Sequence, residues 1–384
     1  MKRILITLGL AVAAMLTIPP LLAAEYSATD LGTLGGSSTA DLINNRGQIV
    51  GGGANDAGDA DHSFLWQQGV MTDLGTLSDL VAGPPQIFIH TYAEDMNERG
   101  QIVGRCFTDQ FLEHGFIWQD GVMIDLGTLA GFDNSTAYDI NDRGQVVGYS
   151  YDGTSGQASA FLWQDGVMTD LGGSYSVAFA INERGQVVGY GVDSASGEQH
   201  ALLWKNGVMT DLGTLGGGYS AAFFINERGQ VVGYSYTASG EPHGFLWQDG
   251  VMTDLETLGG SLVYPNAINE RGQIVGYSTT ASGEDHAFLW QKGVMTDLGT
   301  LGCCGSYASA INERGQIVGN SFTASGEQHA FLWQEGVMTD LGTLASDNSS
   351  LALDINERGQ IVGHGSSDSG GYRAILWTKS NSHD

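Results

Sequence analysis

The sequence is poor in most of what could fix a fold or a reaction on its own. Proline is scarce at 6 of 384 residues, cysteine scarcer at 3, and charged residues make up only 15%. Cys106, Cys303 and Cys304 are too few for a disulfide framework. Two are adjacent and the third is distant, so they are poor metal ligands as a set, and they read as incidental small residues with a habit of burial. Positive charge is also short: 15 Lys and Arg stand against 43 Asp and Glu, a formal net charge of −28. Such a chain repels nucleic-acid phosphates and anionic membrane surfaces, so neither is expected as a partner. Cations, neutral glycans and basic proteins remain open. After residue 24 no apolar stretch is long enough to span a bilayer, and no amphipathic helical pattern appears. What is plentiful is glycine, at 58, and apolar residues, at 42%, enough for a packed core and against disorder.

Residues 1–24 read as a secretory signal peptide. Lys2 and Arg3 form the positive end, Ile4 to Leu22 the apolar stretch, and Ala23-Ala24 the small residues before the cut. Residues 25–379 are then one domain and 380–384 a short polar tail. The expected location is extracellular or periplasmic, and a monomer is expected.

The abundant glycines recur in register, because nearly the whole chain repeats itself. An Ile-Asn-x-Arg-Gly signature, with variants, places Asn44, Asn97, Asn141, Asn182, Asn226, Asn269, Asn312 and Asn356 at gaps of 53, 44, 41, 44, 43, 43 and 44 residues. All eight Trp follow these Asn 21 or 22 residues later. Within the copy around Asn226 four short apolar runs appear, Ala221 to Ile225, Val231 to Tyr236, His243 to Trp247 and Val251 to Leu255. Each is too short for a helix and rich in strand-forming residues. Asn226-Glu227-Arg228-Gly229 suits a type I turn closing on a glycine, and Gln248-Asp249-Gly250 a tight hairpin. Four antiparallel strands per repeat, apolar on both faces, give an all-β chain and an eight-bladed β-propeller. The N-terminal strand, placed at Thr29 to Leu34, is expected to complete the blade holding Ile355 to Trp377 and so close the ring.

His200-Ala201-Leu202-Leu203-Trp204, His286-Ala287-Phe288-Leu289-Trp290 and His329-Ala330-Phe331-Leu332-Trp333, each followed by Met-Thr-Asp-Leu, resemble the HAF repeat of bacterial extracellular proteins. The likeness covers almost all of residues 25–379, with Ala158 and Arg373 standing for the His in two copies. It implies a secreted bacterial repeat protein and brings no reaction, cofactor or catalytic residue with it.

The regular positions are expected to be scaffold. The repeated His should be satisfied by a local hydrogen bond, the repeated Arg by ion pairs with the neighbouring Glu, and the Asp of Asp-Leu should lie mid-strand. Candidate ligand-binding residues are those that break the repeat. Just ahead of the Ile-Asn pair, four copies carry carboxylates, Asp354, Asp41, Glu94 with Asp95, and Asp139, and a closed ring would make them one acidic sector. The longest insertion, Ser78 to Tyr92, brings His90 and Tyr92 to the same side. The acidic loop at Asp56, Asp59 and Asp61 could hold calcium, otherwise no cofactor is expected. Enzyme sites need different groups at one point, which near-identical blades do not provide, so no catalytic residue is assigned. The expected function is a secreted, non-enzymatic binding module for a glycan or an extracellular protein. Alternatives are a polysaccharide hydrolase or lyase using the acidic sector, and a structural matrix component.

Overall fold

The computed structural model describes residues 26–55, 61–77, 90–193, 196–366 and 370–380. The proposed signal peptide, most of the insertion, Asp56, Asp59 and the last four residues lie outside the described residues. Those described form thirty-two strands and no helix. The strands group into four-stranded antiparallel sheets, joined in two places by a single parallel bridge, Gln199 beside Tyr219 and Asp285 beside Gly305. The copy around Asn226 shows how the sequence makes such a sheet. Its strands are Gly216–Ile225, Val231–Thr237, Pro242–Gln248 and Val251–Asp254. The first, or inner, strand starts five residues ahead of its apolar run, because backbone pairing does not need the apolar side chains.

The turns follow from their residues. The Gly229 N–H donates to the Asn226 carbonyl at 2.9 Å and the Asn226 N–H to that of Gln230 at 3.1 Å, with Gly229 at φ 78. That is a type I turn with a glycine bulge. Asn226 Oδ1 secures it by accepting the N–H groups of Arg228 and Gln230. In the other hairpin Asp249 and Gly250 are both left-handed, at φ 51 and 87, as a two-residue type I′ turn requires.

Each inner strand carries a β-bulge at the same place, between Ala222 and Phe224 in this copy. The bulge presses the preceding carbonyl onto the second strand. A Cβ added at Gly233 would lie 1.9 Å from the Ala221 oxygen, so only glycine fits there. The core lies between successive sheets: Val232, Leu246 and Leu255 of one copy pack on Val263, Ile274 and Phe288 of the next. The Phe before Leu-Trp is fully buried at Phe64, Phe245 and Phe331, each burial contributing about 1.5–3 kcal/mol.

Polar belts link the sheets. Asn226 Nδ2 donates to the Asn269 carbonyl at 3.0 Å. The same bond runs from every Asn of the series to the next, and from Asn356 back to Asn44 at 3.0 Å. A second belt uses the residue after each Asn. The Glu227 N–H donates to the Glu270 carboxylate at 2.8 Å, and the Glu357 N–H returns to Asn45 Oδ1 at 2.8 Å. These belts correct the expected Arg–Glu pairs. The carboxylates take backbone N–H groups instead, and Arg46, Arg99, Arg143, Arg184, Arg228, Arg271, Arg314 and Arg358 are exposed, in no ion pair among the described residues.

At the ends of the chain, Tyr26–Asp30 pairs with Tyr372–Lys379, Tyr26 opposite Lys379 and Asp30 opposite Ile375. The strand lies ahead of its expected place because the Asp ends it rather than sitting within it. Asp30 Oδ1 accepts the Gly32 N–H at 2.8 Å, turning the chain, as Asp211 does for Gly213. The other carboxylate oxygen commonly meets the repeated His, as at His200 Nδ1 and Asp211 Oδ2, 2.7 Å apart. In the copy around Asn141 the register puts Ser159, not Ala158, at the histidine's place, 2.7 Å from Asp170. Cys303 and Cys304, read from sequence as incidental, are paired as a disulfide between neighbours.

Candidate functional site

The bulge decides which side chains leave the sheet. The extra residue is Asp41, Glu94, Tyr138, Phe179, Phe223, Asn266, Ser309 or Leu353 in successive copies. The next residue pairs again with the second strand, and there stand Asp95, Asp139 and Asp354, where other copies carry Leu42, Ala180, Phe224, Ala267 and Ala310. The predicted acidic sector therefore divides in two.

Asp95, Asp139 and Asp354 act as clamps. Each accepts the backbone N–H of the isoleucine in the following copy: Asp95 from Ile140 at 3.0 Å, Asp139 from Ile181 at 2.7 Å, and Asp354 from Ile43 at 2.8 Å. Burial pushes the Asp139 carboxyl well up, with the neighbouring Asp95 adding to it. Burial likewise pushes Asp354 up to about 6, against the hydrogen bonds from Ile43 and Ile355. These three are near one another and are occupied with holding the sheets together.

Asp41 and Glu94 form the other half. Asp41 lines a cavity of about 410 Å³ with Asp61, His62, Tyr92 and Tyr372. Burial raises its carboxyl, opposed by hydrogen bonds from Thr39 and Gly52. Tyr92 stacks on His90, centroids 5.7 Å apart, and His90 Nδ1 accepts the Asp61 N–H at 3.1 Å. Of the calcium candidates only Asp61 is described, and no three His, Cys, Asp or Glu converge as metal ligands among the described residues.

Sequence reasoning missed Arg105. Its guanidinium lies 2.9 Å from Glu94 and 3.6 Å from Glu113, and 5.0 Å over the Tyr92 ring. The signal was there: four other copies have tyrosine at this strand position. Burial still raises Glu94, with Arg105 opposing.

Also missed was the aromatic arc. Tyr149 stacks on Tyr138 at 5.8 Å, Tyr138 meets Phe179 at 5.3 Å, and Phe179 meets Phe223 at 5.0 Å. The contacts continue from Phe223 to Tyr234, Tyr264, Tyr277 and Tyr307. All these rings are half-buried. Part of the arc walls a cavity of about 350 Å³ that includes Phe179, Phe223, Tyr234 and Tyr264. Burial raises the phenols of Tyr138, Tyr234, Tyr277 and Tyr307, and that of Tyr190 up to about 12, so these five are neutral hydrogen-bond donors at neutral pH. The arc starts in the copy that bears Asp139, runs on through the four copies that lack carboxylates, and continues the inner-strand surface that bears Asp41 and Glu94.

This architecture is a β-propeller, and the solved structures it is similar to include peptidases and a protease's β-propeller domain. No family model and no curated protein sequence matches the chain. The β-propeller domain of the Trilobed protease from Pyrococcus furiosus aligns at TM-score 0.50 and 9% identity, over 75% of this chain and 96% of that one. A structure described for two prolyl endopeptidases aligns at 0.56 and 8%, over 87% and 55%. A puromycin-hydrolyzing peptidase of Mycobacterium tuberculosis aligns at 0.51 and 12%, over 89% and 60%. The chain thus spans little more than half of the length of the latter two. The expected non-enzymatic binding module for a glycan or extracellular protein is corrected by these neighbours, which are peptidase structures. At such identities the relationship lies in the backbone, where side-chain reasoning could not reach it.

Proposed function

We propose that the chain is a peptidase-type propeller, the unit that receives and positions peptide substrate for a hydrolytic unit acting with it. Its finer architecture in this reading is eight blades in a closed ring of HAF-type repeats, supported by the asparagine belt that returns from Asn356 to Asn44. Export through residues 1–24 is part of the same proposal. The observation that carries the function is the split lining of the first and second strands, aromatic from Tyr138 to Tyr307 and charged at Asp41, Glu94 and Arg105. A peptide combines both needs: apolar side chains for ring faces, and charged ends and amides for carboxylates, a guanidinium and phenols. The peptidase propellers of similar build supply the choice of polymer.

The test is fluorescence anisotropy with a labelled hexapeptide rich in phenylalanine and proline. The parent protein is expected to bind it, and Phe179→Ala with Phe223→Ala to weaken binding about 10-fold or more, the loss of two ring contacts. Equal binding by the double variant would remove the arc from the site, and no binding of any peptide would sink the reading.

A further inference from the structure

The cavity beside Asp41 exists because one copy of the repeat lacks a side chain. The second-strand residue that pairs two places ahead of the bulge residue is Tyr149, Tyr190, Tyr234 or Tyr277 in four copies. In the first copy it is Gly52, opposite Thr39. In three of these copies the tyrosine ring lies on that of the bulge residue, Tyr149 on Tyr138 at 5.8 Å, Tyr190 on Phe179 at 5.6 Å and Tyr234 on Phe223 at 5.3 Å. Glycine is not needed by the backbone here. A Cβ added at Gly52 would meet only Thr39 Oγ1, at 3.9 Å, unlike Gly51 beside it, where it would collide with a carbonyl at 1.9 Å. Gly52 therefore makes room, and what it uncovers is the carboxylate of Asp41.

The walls say what fits the room. Two carboxylates, Asp41 and Asp61, share it with His62 and two phenol rings: Tyr92, whose ring already meets His90 and Arg105, and Tyr372, which is exposed and supplies the open face. Carboxylates accept charge-assisted hydrogen bonds from N–H groups, and aromatic faces attract cations. An anion would be repelled. A neutral apolar group would strip water from Asp41 and add nothing to the hydrogen bonds it has from Thr39 and Gly52. An ammonium group meets both kinds of wall.

We propose that this cavity binds a primary ammonium group and, resting on the peptide reading above, that the group is the amino terminus of the peptide lying along the aromatic arc. A lysine side chain has the same chemistry, so the experiment separates the two. The labelled hexapeptide, free of lysine and tagged at its C-terminus, is compared in three forms: free amino terminus, acetylated, and acetylated with one lysine added. Acetylation is expected to weaken binding to the parent about 10-fold or more, the loss of a charge-assisted contact. Gly52→Tyr, which installs the residue other copies carry, and the near-isosteric Asp41→Asn should each abolish the difference between free and acetylated peptide. Circular dichroism confirms that each variant is folded, and Asp41→Asn decides if the tyrosine disturbs the strand. Equal binding of free and acetylated peptide, or discrimination that survives both variants, overturns the proposal. Full binding by the acetylated lysine peptide overturns the terminus assignment and keeps the ammonium site. If no peptide binds in any form, the peptide reading falls, and an NMR titration with n-butylammonium decides the cavity alone: shifts abolished by Gly52→Tyr support it, and no shifts overturn it.

Discussion

The copies from Asn182 to Asn269 and those at Asn356, Asn44 and Asn97 share one backbone and differ in what they present from it. Both groups carry the bulge, the pressed glycine, the asparagine bond to the next copy and the Asp that turns the chain at the fourth strand. Yet the bulge residue is Phe179, Phe223 or Asn266 in the first group, and Leu353, Asp41 or Glu94 in the second. The scaffold is set by backbone hydrogen bonds and close contacts that tolerate few substitutions. The lining is set by single positions whose side chains leave the sheet, so it can vary without cost to the scaffold. A repeat protein can thus place unlike groups at one site even though its units are alike.

The largest effects should come from breaking what the two groups share. An added methyl at Gly104 would sit 1.9 Å from the Tyr92 carbonyl oxygen, and at Gly233 1.9 Å from that of Ala221. Gly104→Ala and Gly233→Ala should each destabilise by about 3 kcal/mol or more, since neither backbone can move without losing its pairing. Urea denaturation would measure it. A silent Gly104→Ala beside a damaging Gly233→Ala would mean that the two groups do not share a scaffold.

How far the sequence could be read follows the same division. The period, the turns and the strand number were legible because Trp, Asn and Gly recur at fixed intervals with a physical reason at each. Asp41 and Glu94 were legible as departures from the repeat. Gly52, Arg105 and the aromatic arc were not. Tyrosine in a strand reads as ordinary β-propensity, and its loss at Gly52 matters only once the register shows which ring is missing. The Arg–Glu pairs were misread because adjacency in sequence does not reveal that each carboxylate is taken by a backbone N–H of the neighbouring copy. The mid-strand Asp was misread for want of its turn bond to the residue two places on.

A smaller effect should appear at the clamps found only in the carboxylate-bearing copies. Burial raises Asp354 to about 6 from its ordinary 3.8, so the folded chain holds a proton that the unfolded chain releases. Stability from this group is therefore full below about pH 4 and falls as pH rises towards 6. Asp139 shifts in the same direction. Asp354→Asn can still accept the Ile43 N–H through its amide oxygen, and it cannot ionise. The loss of stability between pH 4 and pH 7 should shrink by on the order of 2 kcal/mol relative to the parent. An unchanged slope would show that this carboxyl is not held protonated by the fold.

The smallest expected effect lies at the clasp between third and fourth strands, present in both groups. His114 Nδ1 is 2.9 Å from Asp125 Oδ2, and His243 Nδ1 is 2.8 Å from Asp254 Oδ2. The hydrogen bond to Asp125 raises the His114 pKa, with burial opposing. Burial would raise Asp125, but the bonds from His114 and Gly127 outweigh it and leave it lowered. The histidine's contribution is thus full below its unfolded pKa and is lost as pH rises through the folded one, while the aspartate's is lost as pH falls below the ordinary carboxylate range. The window in which both act runs from weakly acidic to neutral pH. These pairs are partly exposed, so His114→Gln should cost only about 0.5 kcal/mol at pH 5.5 and close to nothing at pH 9. A similar cost at pH 5.5 is expected for His243→Gln, because the clasp belongs to the scaffold and not to the lining. Peptide binding should be unchanged in both variants. A binding defect in His114→Gln alone would move this histidine out of the scaffold and into the charged half of the site.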